Sequence, residues 1–476
     1  MPFLLIWVPL SSIIILNLPF KELMRKIAVW LAGALFLCQI FLVFFPPKGF
    51  WDLSTTPTIS FLSFKALLDS LSPVLFLSIG IVSLTALWVG CQILTDRRKR
   101  FNFVNLLLLA FLGMNANVLV ADLFVAYIFI EVTAITSFIL ISFMRDRLAL
   151  EGAFKYIILS AVASVMMLSS LALLFMIAGD TSYGAIRAAL LESPGSLWAR
   201  IAIILFISGL FIKGGVVPFH AWLPDAYTSA PSFVSVFLAG IVTKVSGVYV
   251  LIRLVVSVFG FQQPISNIIM VLGTLSILIG AVAAVGQSNF KRMLSYSSIS
   301  QVGYIILALG CGTPLAIAGA IFHLFNHSIF KTLLFVNAAA VEERTGTMKM
   351  TEMGGLSTKM PWTGLTSVIG LLSTAGIPPF AGFWSKFIIV VALIQAGHYG
   401  YAGIALLASI ITLGYFLLMQ RQVFFGQLLP SLENIKEASI GLVFPAIVLA
   451  VITVGVGLFF PWVLTRFILP IQLGLR

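Results

Sequence analysis

The chain has 476 residues, of which 60% are hydrophobic and only 9% charged, a balance that excludes a soluble globular domain and makes lipid its solvent. Its formal charge of +12 does not signal nucleic-acid binding, because the basic residues are scattered in short connections or isolated within apolar runs, with no patch interleaved with aromatics. Cys38, Cys91 and Cys311 stand apart without CxxC spacing, so neither a zinc site nor an iron–sulfur cluster is expected.

A membrane span needs about 20 apolar residues, and runs of that kind predict an all-α polytopic membrane protein with fourteen spans: 2–18, 27–45, 71–94, 102–119, 121–143, 153–178, 200–223, 231–258, 265–286, 293–310, 313–341, 361–396, 399–425 and 439–468. The first run has no basic region before it and no small-residue cleavage site after it, so it reads as a retained helix. Segment 180–199, "SYGAIRAALLESPGSLWAR", reads as a short amphipathic helix at the outer interface.

The distribution of basic residues tests the count and the direction of the spans. Connections following odd-numbered spans hold 17 Lys and Arg, against 6 on the opposite side. The basic loops are therefore placed in the cytoplasm and both termini outside. Five basic residues remain within spans: Lys213, Arg253, Lys244, Lys331 and Lys386. Arg253 lies near the outer end of span eight, where a long side chain is expected to snorkel to the headgroups.

The four lysines lie deep, and Glu131 in "YIFIEVTAITSF" is the one acid at similar depth. Each such charge costs roughly 2.5–3.5 kcal/mol at a helix centre, so its presence points to function. Proton transfer fits these residue types. A desolvated lysine loses proton affinity and a nearby carboxylate restores it, so the separation of Glu131 from Lys213 sets whether the proton is held. His323, His327 and Lys331 follow at four-residue intervals on one face of span eleven, and histidine accepts on one ring nitrogen while donating from the other. No metal is expected at this pair, since no acidic or cysteine ligand accompanies it at that depth. Sodium would require more oxygen ligands than a single deep carboxylate offers, so the proton is the expected ion.

Two spans carry interruptions. Gly214, Gly215 and Pro218 break span seven, and Gly376, Pro378 and Pro379 break span twelve, in related wording: Gly215-Val-Val-Pro-Phe219 and Gly376-Ile-Pro-Pro-Phe380. Paired Gly/Pro breaks at corresponding positions point to repeats that meet around an ion path near the midplane. The odd offset of five spans between them predicts opposite topologies.

The wording "KGGVVPFHAWLPDAYTSAPSFVSVFLAGIVTKV", "NFKRMLSYSSISQVGY", "HLFNHSIFKTLLF" and "GIPPFAGFWSKF" resembles the antiporter-like subunits shared by respiratory complex I, Mrp-type sodium/proton antiporters and energy-converting membrane-bound hydrogenases, over about 100–425. One departure is "TKVSGVY", a serine longer than the family's wording. The resemblance implies a three-span N-terminal segment 1–100, inverted five-span repeats at 101–260 and 261–428, and a last span in 429–476. It implies that Glu131 and Lys213 form the glutamate–lysine pair, that Lys244 bridges, that His323, His327 and Lys331 form the relay, and that Lys386 is the terminal group. Lys386 and Gln301 lie closer to the Mrp and hydrogenase branches, and the C-terminus lacks the lateral helix of the largest complex I antiporter subunit. His220 and Asp225 match the family's wording toward the cytoplasmic end, where proton entry and helix anchoring are both open. The function implied is proton translocation in a redox-driven complex, or alternatively in a multisubunit sodium/proton antiporter. No cofactor is expected in this chain, and its partners are other membrane subunits, homologous antiporter-like and redox subunits among them.

Overall fold

The computed structural model describes residues 2–19, 21–47, 50, 67–193 and 195–474. Lys48, Lys65 and Arg476 of the expected outer set lie outside the described residues. The helices are α1 (Leu4–Leu16), α2 (Lys21–Phe44), α3 (Ser72–Ile93), α4 (Arg97–Leu119), α5 (Leu123–Ile141), α6 (Arg147–Ala178), α7 (Tyr183–Glu192), α8 (Leu197–Gly214), α9 (Trp222–Ser229), α10 (Ser232–Phe259), α11 (Gln263–Val285), α12 (Phe290–Cys311), α13 (Pro314–Thr345), α14 (Pro361–Ala375), α15 (Ala381–Gln395), α16 (Tyr399–Phe425), α17 (Ile440–Leu458) and α18 (Phe460–Ile471).

Among the described residues, twelve helices are long and apolar enough to cross a membrane, so the chain is a multi-pass membrane protein. The expected fourteen differ for two physical reasons. Helix α1 has 13 residues, about 20 Å at 1.5 Å per residue and short of a bilayer core. Span twelve consists of α14 and α15, each of 15 residues. The last expected span is also interrupted, at Phe459, where Pro461 starts α18. The amphipathic segment forms α7, with Tyr183, Ile186 and Leu190 buried on one face.

Helix signals recur in register in two parts of the chain. Asp122 and Asp146 cap α5 and α6 through side-chain acceptance from Val125 and Ala149 N–H. Asn289 and Thr313 do the same for α12 and α13, accepting from Arg292 and Ala316. Helix α6 stops at Gly179 and α13 at Gly346, each left-handed with φ 68°. Isolated backbone bridges then join Asp122 to Ser182 and Asn289 to Lys349, across equal lengths of chain. Counted from these markers, the signals of α5–α6 align with those of α12–α13 without a gap, and the odd number of spans between the two bridges, α5, α6, α8, α10 and α11, sets them on opposite faces of the membrane. That is an inverted repeat, and in its register Glu131 falls opposite Ser298, Ser160 opposite His327 and Ser164 opposite Lys331.

The two parts are joined by charge at the basic-loop end. Asp225 on α9 accepts from Lys155 of α6 at 2.8 Å and from Arg292 of α12 at 2.5 Å. Glu342 at the end of α13 pairs with the buried Lys291 at 2.9 Å and accepts from Ser232 at the start of α10. Within the second part, α11 and α12 touch backbone to backbone. Cβ atoms at Gly273, Gly280, Gly303 and Gly310 would come within about 2.7 Å of the facing main chain.

Arg253 does not snorkel. It is 2% exposed, forked onto Asp69 in the connection before α3, with its Nη2 also donating to the Tyr249 hydroxyl at 2.6 Å. A partner from another segment satisfies the guanidinium inside the protein, so it has no need of headgroups. Burial opposes ionisation of Asp69, but the Arg253 guanidinium outweighs it and holds the carboxyl below its usual 3.8. Because the folded value is depressed, this contribution is present above the ordinary carboxylate value and is lost as pH falls through the folded one. Asp69→Ala leaves the guanidinium buried and uncompensated and is expected to destabilise the chain by about 3 kcal/mol, the low end for a broken buried pair because Asp69 is partly exposed. Thermal unfolding in detergent, followed by tryptophan fluorescence, checks this; an unchanged midpoint contradicts it.

Candidate functional site

Both interrupted spans end their first half in the same manner. At Gly215 (φ 67°) the chain turns left-handed and Val216 N–H returns to Phe211 O at 2.9 Å; at Gly376 (φ 85°) Ile377 N–H returns to Leu372 O at 3.0 Å. Each break carries a cis peptide before its proline, Val217–Pro218 and Pro378–Pro379. The Trp222 indole donates to Ile212 O at 2.9 Å, capping a carbonyl that the break releases. Val217 N–H is taken by Ser276 Oγ of α11 at 3.0 Å.

Lys213 occupies the last turn of α8, and its buried Nζ reaches Glu131 Oε1 of α5 at 2.9 Å and Ser160 Oγ of α6 at 2.6 Å. Ser164, one turn along α6, donates to the same Glu131 oxygen at 2.7 Å. The pair is thus held by two hydroxyls at i and i+4 on one face. Lys213 is enclosed, while the Glu131 side chain remains 23% exposed on a face otherwise formed by Ile128 and Ile135.

Beyond this pair, α10 changes its winding. Leu238–Val242 and Lys244–Tyr249 are π-helical turns, the form a helix takes when one residue is inserted. Ser246, the serine by which "TKVSGVY" is longer, lies in the second of them. Lys244 is fully buried and donates to the carbonyl of Ala239, inside the first π turn. His327 of α13 lies within electrostatic reach of both Lys244 and Lys331, and neither of its ring nitrogens has a hydrogen-bond partner among the described residues. Buried polar atoms require such partners, and a water molecule between the helices would meet that requirement. Lys331 donates to Ser297 Oγ at 2.6 Å and Leu294 O at 3.0 Å. The His323 and His327 rings lie nearly parallel, centroids 6.2 Å apart, and His323 Nδ1 shares a hydrogen bond of 2.9 Å with Ser385 Oγ.

Lys386 follows its break by several residues, yet its amine returns to it. Nζ donates to Thr374 O at 2.9 Å, lies 3.2 Å from Ser409 Oγ, and sits 4.5 Å above the Tyr304 ring. Gly376 makes room for the lysine stem, since a Cβ there would lie 2.9 Å from Lys386 Cδ. Lys386 therefore presents its amine to the C-terminal end of a broken helix, where the dipole is negative. Among the described residues, no carboxylate pairs with Lys244, Lys331 or Lys386, so Glu131–Lys213 is the ion pair of the line.

His220 lies half-buried in the first break beside Pro218. Asp225 is held between Lys155 and Arg292, which is the geometry of an anchor between the two repeats. Sequence reasoning missed the hydroxyl partners Ser160, Ser164, Ser297, Ser385 and Ser409, and the Tyr304 ring. One signal was available: "SYSSIS" places four serines within an otherwise apolar span, and Ser297 is among them.

Residues 120–412 match the family described as NADH:quinone oxidoreductase/Mrp antiporter, TM. The chain is 32% identical over 392 residues to a subunit of the Na(+)/H(+) antiporter of Alkalihalophilus pseudofirmus, covering 82% of this chain and 79% of that one. It is 31% identical over 430 residues to NADH-quinone oxidoreductase subunit N of Desulforudis audaxviator, covering 87% and 85%. Its fold matches a chain of the membrane-bound sulfane sulfur reductase, an archaeal respiratory membrane complex, with TM-score 0.88, 26% identity and coverage of 100% and 97%. With inverted repeats, two broken spans and this match over most of its length, the chain belongs to the NADH:quinone oxidoreductase/Mrp antiporter transmembrane family.

Proposed function

We propose that this antiporter-like subunit translocates protons within a redox-driven, ion-pumping membrane complex, along a lateral line from Glu131 and Lys213 through Lys244, Lys331, His327 and His323 to Lys386. One observation carries this reading: buried titratable side chains follow one another from the first break to the second, each facing hydroxyls, carbonyls or another titratable group. Glu131 is the movable element. Its two hydroxyl-supported contacts hold Lys213 in one position, and its partly exposed side lies on an apolar face that only a neighbouring membrane subunit can cover without leaving a carboxylate in lipid. Partners of this kind include homologous antiporter-like subunits and subunits carrying redox chemistry. The asymmetry of basic loops orients the chain in a cytoplasmic membrane with both termini outside, a parity that requires α1 to cross despite its 13 residues.

A second reading is favoured by the identity to a subunit of an Na(+)/H(+) antiporter: membership of a multisubunit sodium/proton antiporter with no redox partner. Copurification separates the two. A nickel–iron or iron–sulfur polypeptide in the purified complex supports the redox reading, and small membrane chains alone support the antiporter. In vesicles, transport is expected to collapse with a protonophore; sodium movement that persists under it counts against the proton as the primary ion.

A further inference from the structure

A second cluster of buried polar groups lies between Lys331 and the cytoplasmic face and is no part of the line of titratable residues described above. Asn337, less than two turns beyond Lys331 on α13, accepts from Thr366 Oγ1 of α14 at 3.0 Å. Gln420, beside Arg421 on α16, accepts from Ser367 Oγ at 3.0 Å. All four are at most 2% exposed, and Asn337 Nδ2 and Gln420 Nε2 have no hydrogen-bond partner among the described residues. Deeper on α16, the buried Tyr415 hydroxyl lies beside Ser297, the serine that accepts from Lys331, again without a well-formed hydrogen bond. At the cytoplasmic end, a surface depression of about 440 Å³ opens between the 350–354 turn and Arg421–Gln427.

Packing does not explain the cluster. Counted from the paired breaks at Gly215 and Gly376, Thr366 and Ser367 fall opposite Leu205 and Phe206 in the first repeat. In the register of the caps, Asn337 falls opposite Ser170, whose hydroxyl is satisfied by Ala202 O at 2.6 Å. The inverted copy of the same helix contacts is therefore closed without any unpartnered amide. Two buried amide donors left open cost about 1–3 kcal/mol each. Water is the ligand that satisfies them, given polar walls.

We propose that Asn337, Thr366, Ser367 and Gln420 line a water-filled access from the cytoplasm to Lys331, entering the second repeat directly and separate from the first break. The inference rests on the proton-relay reading. From the amides to the Lys331–Ser297 pair the helix rise is about 9 Å, a distance that two or three waters bridge. The Phe416 ring, 5.8 Å from Lys331 Nζ, stands beside the inner end of this path.

The test uses the complex purified with its native partners and reconstituted into vesicles. Asn337→Leu with Gln420→Leu is expected to lower proton pumping at least fivefold with subunit abundance unchanged, while Gln420→Glu retains it. With Cys38, Cys91 and Cys311 replaced by serine, Ser367→Cys is expected to react with a small cationic thiosulfonate added from the cytoplasmic side. Where the leucine variants fail to accumulate, this labelling alone decides. Parental pumping in the double leucine variant, or an unreactive Ser367→Cys, overturns the access while Lys331→Ala still abolishes pumping. Normal pumping in Lys331→Ala overturns the relay itself and this inference with it.

Discussion

Lys213→Ala is expected to abolish coupled proton movement while leaving assembly largely intact. The amine is the single cation bonded to Glu131, and Ser160 loses only the donor it accepts from, while its hydroxyl stays free to donate to a carbonyl of its own helix. The loss to the fold is limited, because Ser164 still donates to the carboxylate that remains. Transport loses the group whose proton affinity depends on where the carboxylate stands, and every tenfold change in that affinity corresponds to about 1.4 kcal/mol. Lys213→Arg sharpens the test. It keeps charge, hydrogen bonding and the ion pair, but a guanidinium does not release its proton in a protein. Pumping in inverted vesicles, followed by a pH-sensitive dye, is therefore expected to fall at least tenfold in both variants, with subunit abundance checked by immunoblot. Parental pumping in Lys213→Arg would show that positive charge, not proton exchange, is what the position supplies. Glu131→Ala is expected to behave as Lys213→Ala does, and unaltered pumping in either sinks the relay.

Much of this arrangement is legible in sequence because the bilayer restricts the possibilities. A chain with so few charges must place each one for a reason, so Glu131 and the four lysines can be found without any structure. Gly and Pro within apolar runs locate both breaks for the same reason. Arg253 shows where this logic fails. Position near the end of a span fits lipid-facing snorkelling and internal pairing equally, and the deciding partner, Asp69, is 184 residues away. The hydroxyls were hidden for another reason. Serine is a common interhelical residue in membranes, and what distinguishes Ser160, Ser164 and Ser297 is the helix face they share with an amine of another helix. The repeat register recovers part of this. It sets Ser160 and Ser164 opposite His327 and Lys331, so the same two positions hold an ion pair by hydroxyls in one half and carry titratable groups in the other. The extra serine of "TKVSGVY" was visible as a departure in wording, and its consequence, a change of winding around Lys244, belongs to three dimensions.

The second large effect is expected at Lys386, and whether it extends to assembly depends on the replacement. A carboxylate also exchanges protons, which makes Lys386→Glu look conservative for a proton-handling group. The surroundings argue otherwise. Nζ donates to Thr374 O at 2.9 Å and is within 3.4 Å of Ala375 O, the last carbonyls of α14, and lies over the face of the Tyr304 ring. A helix C-terminus carries about half a negative charge, and the face of an aromatic ring is negative as well, so both favour a cation at the site. A carboxylate there meets two acceptors and a negative face, with no cation paired to it among the described residues. Lys386→Ala removes only the cation; the carbonyls at the break remain open to Ser409 and to water, so assembly is expected to hold while pumping falls at least tenfold. Lys386→Glu is expected to lose pumping and also to reduce the amount of assembled complex, by native gel, below that of Lys386→Ala. The order of the two variants in assembly is the discriminating measurement. If Lys386→Glu accumulates as the parent does and pumps, the acceptor-rich environment of the second break does not select a cation, and Lys386 acts there only as a generic proton carrier.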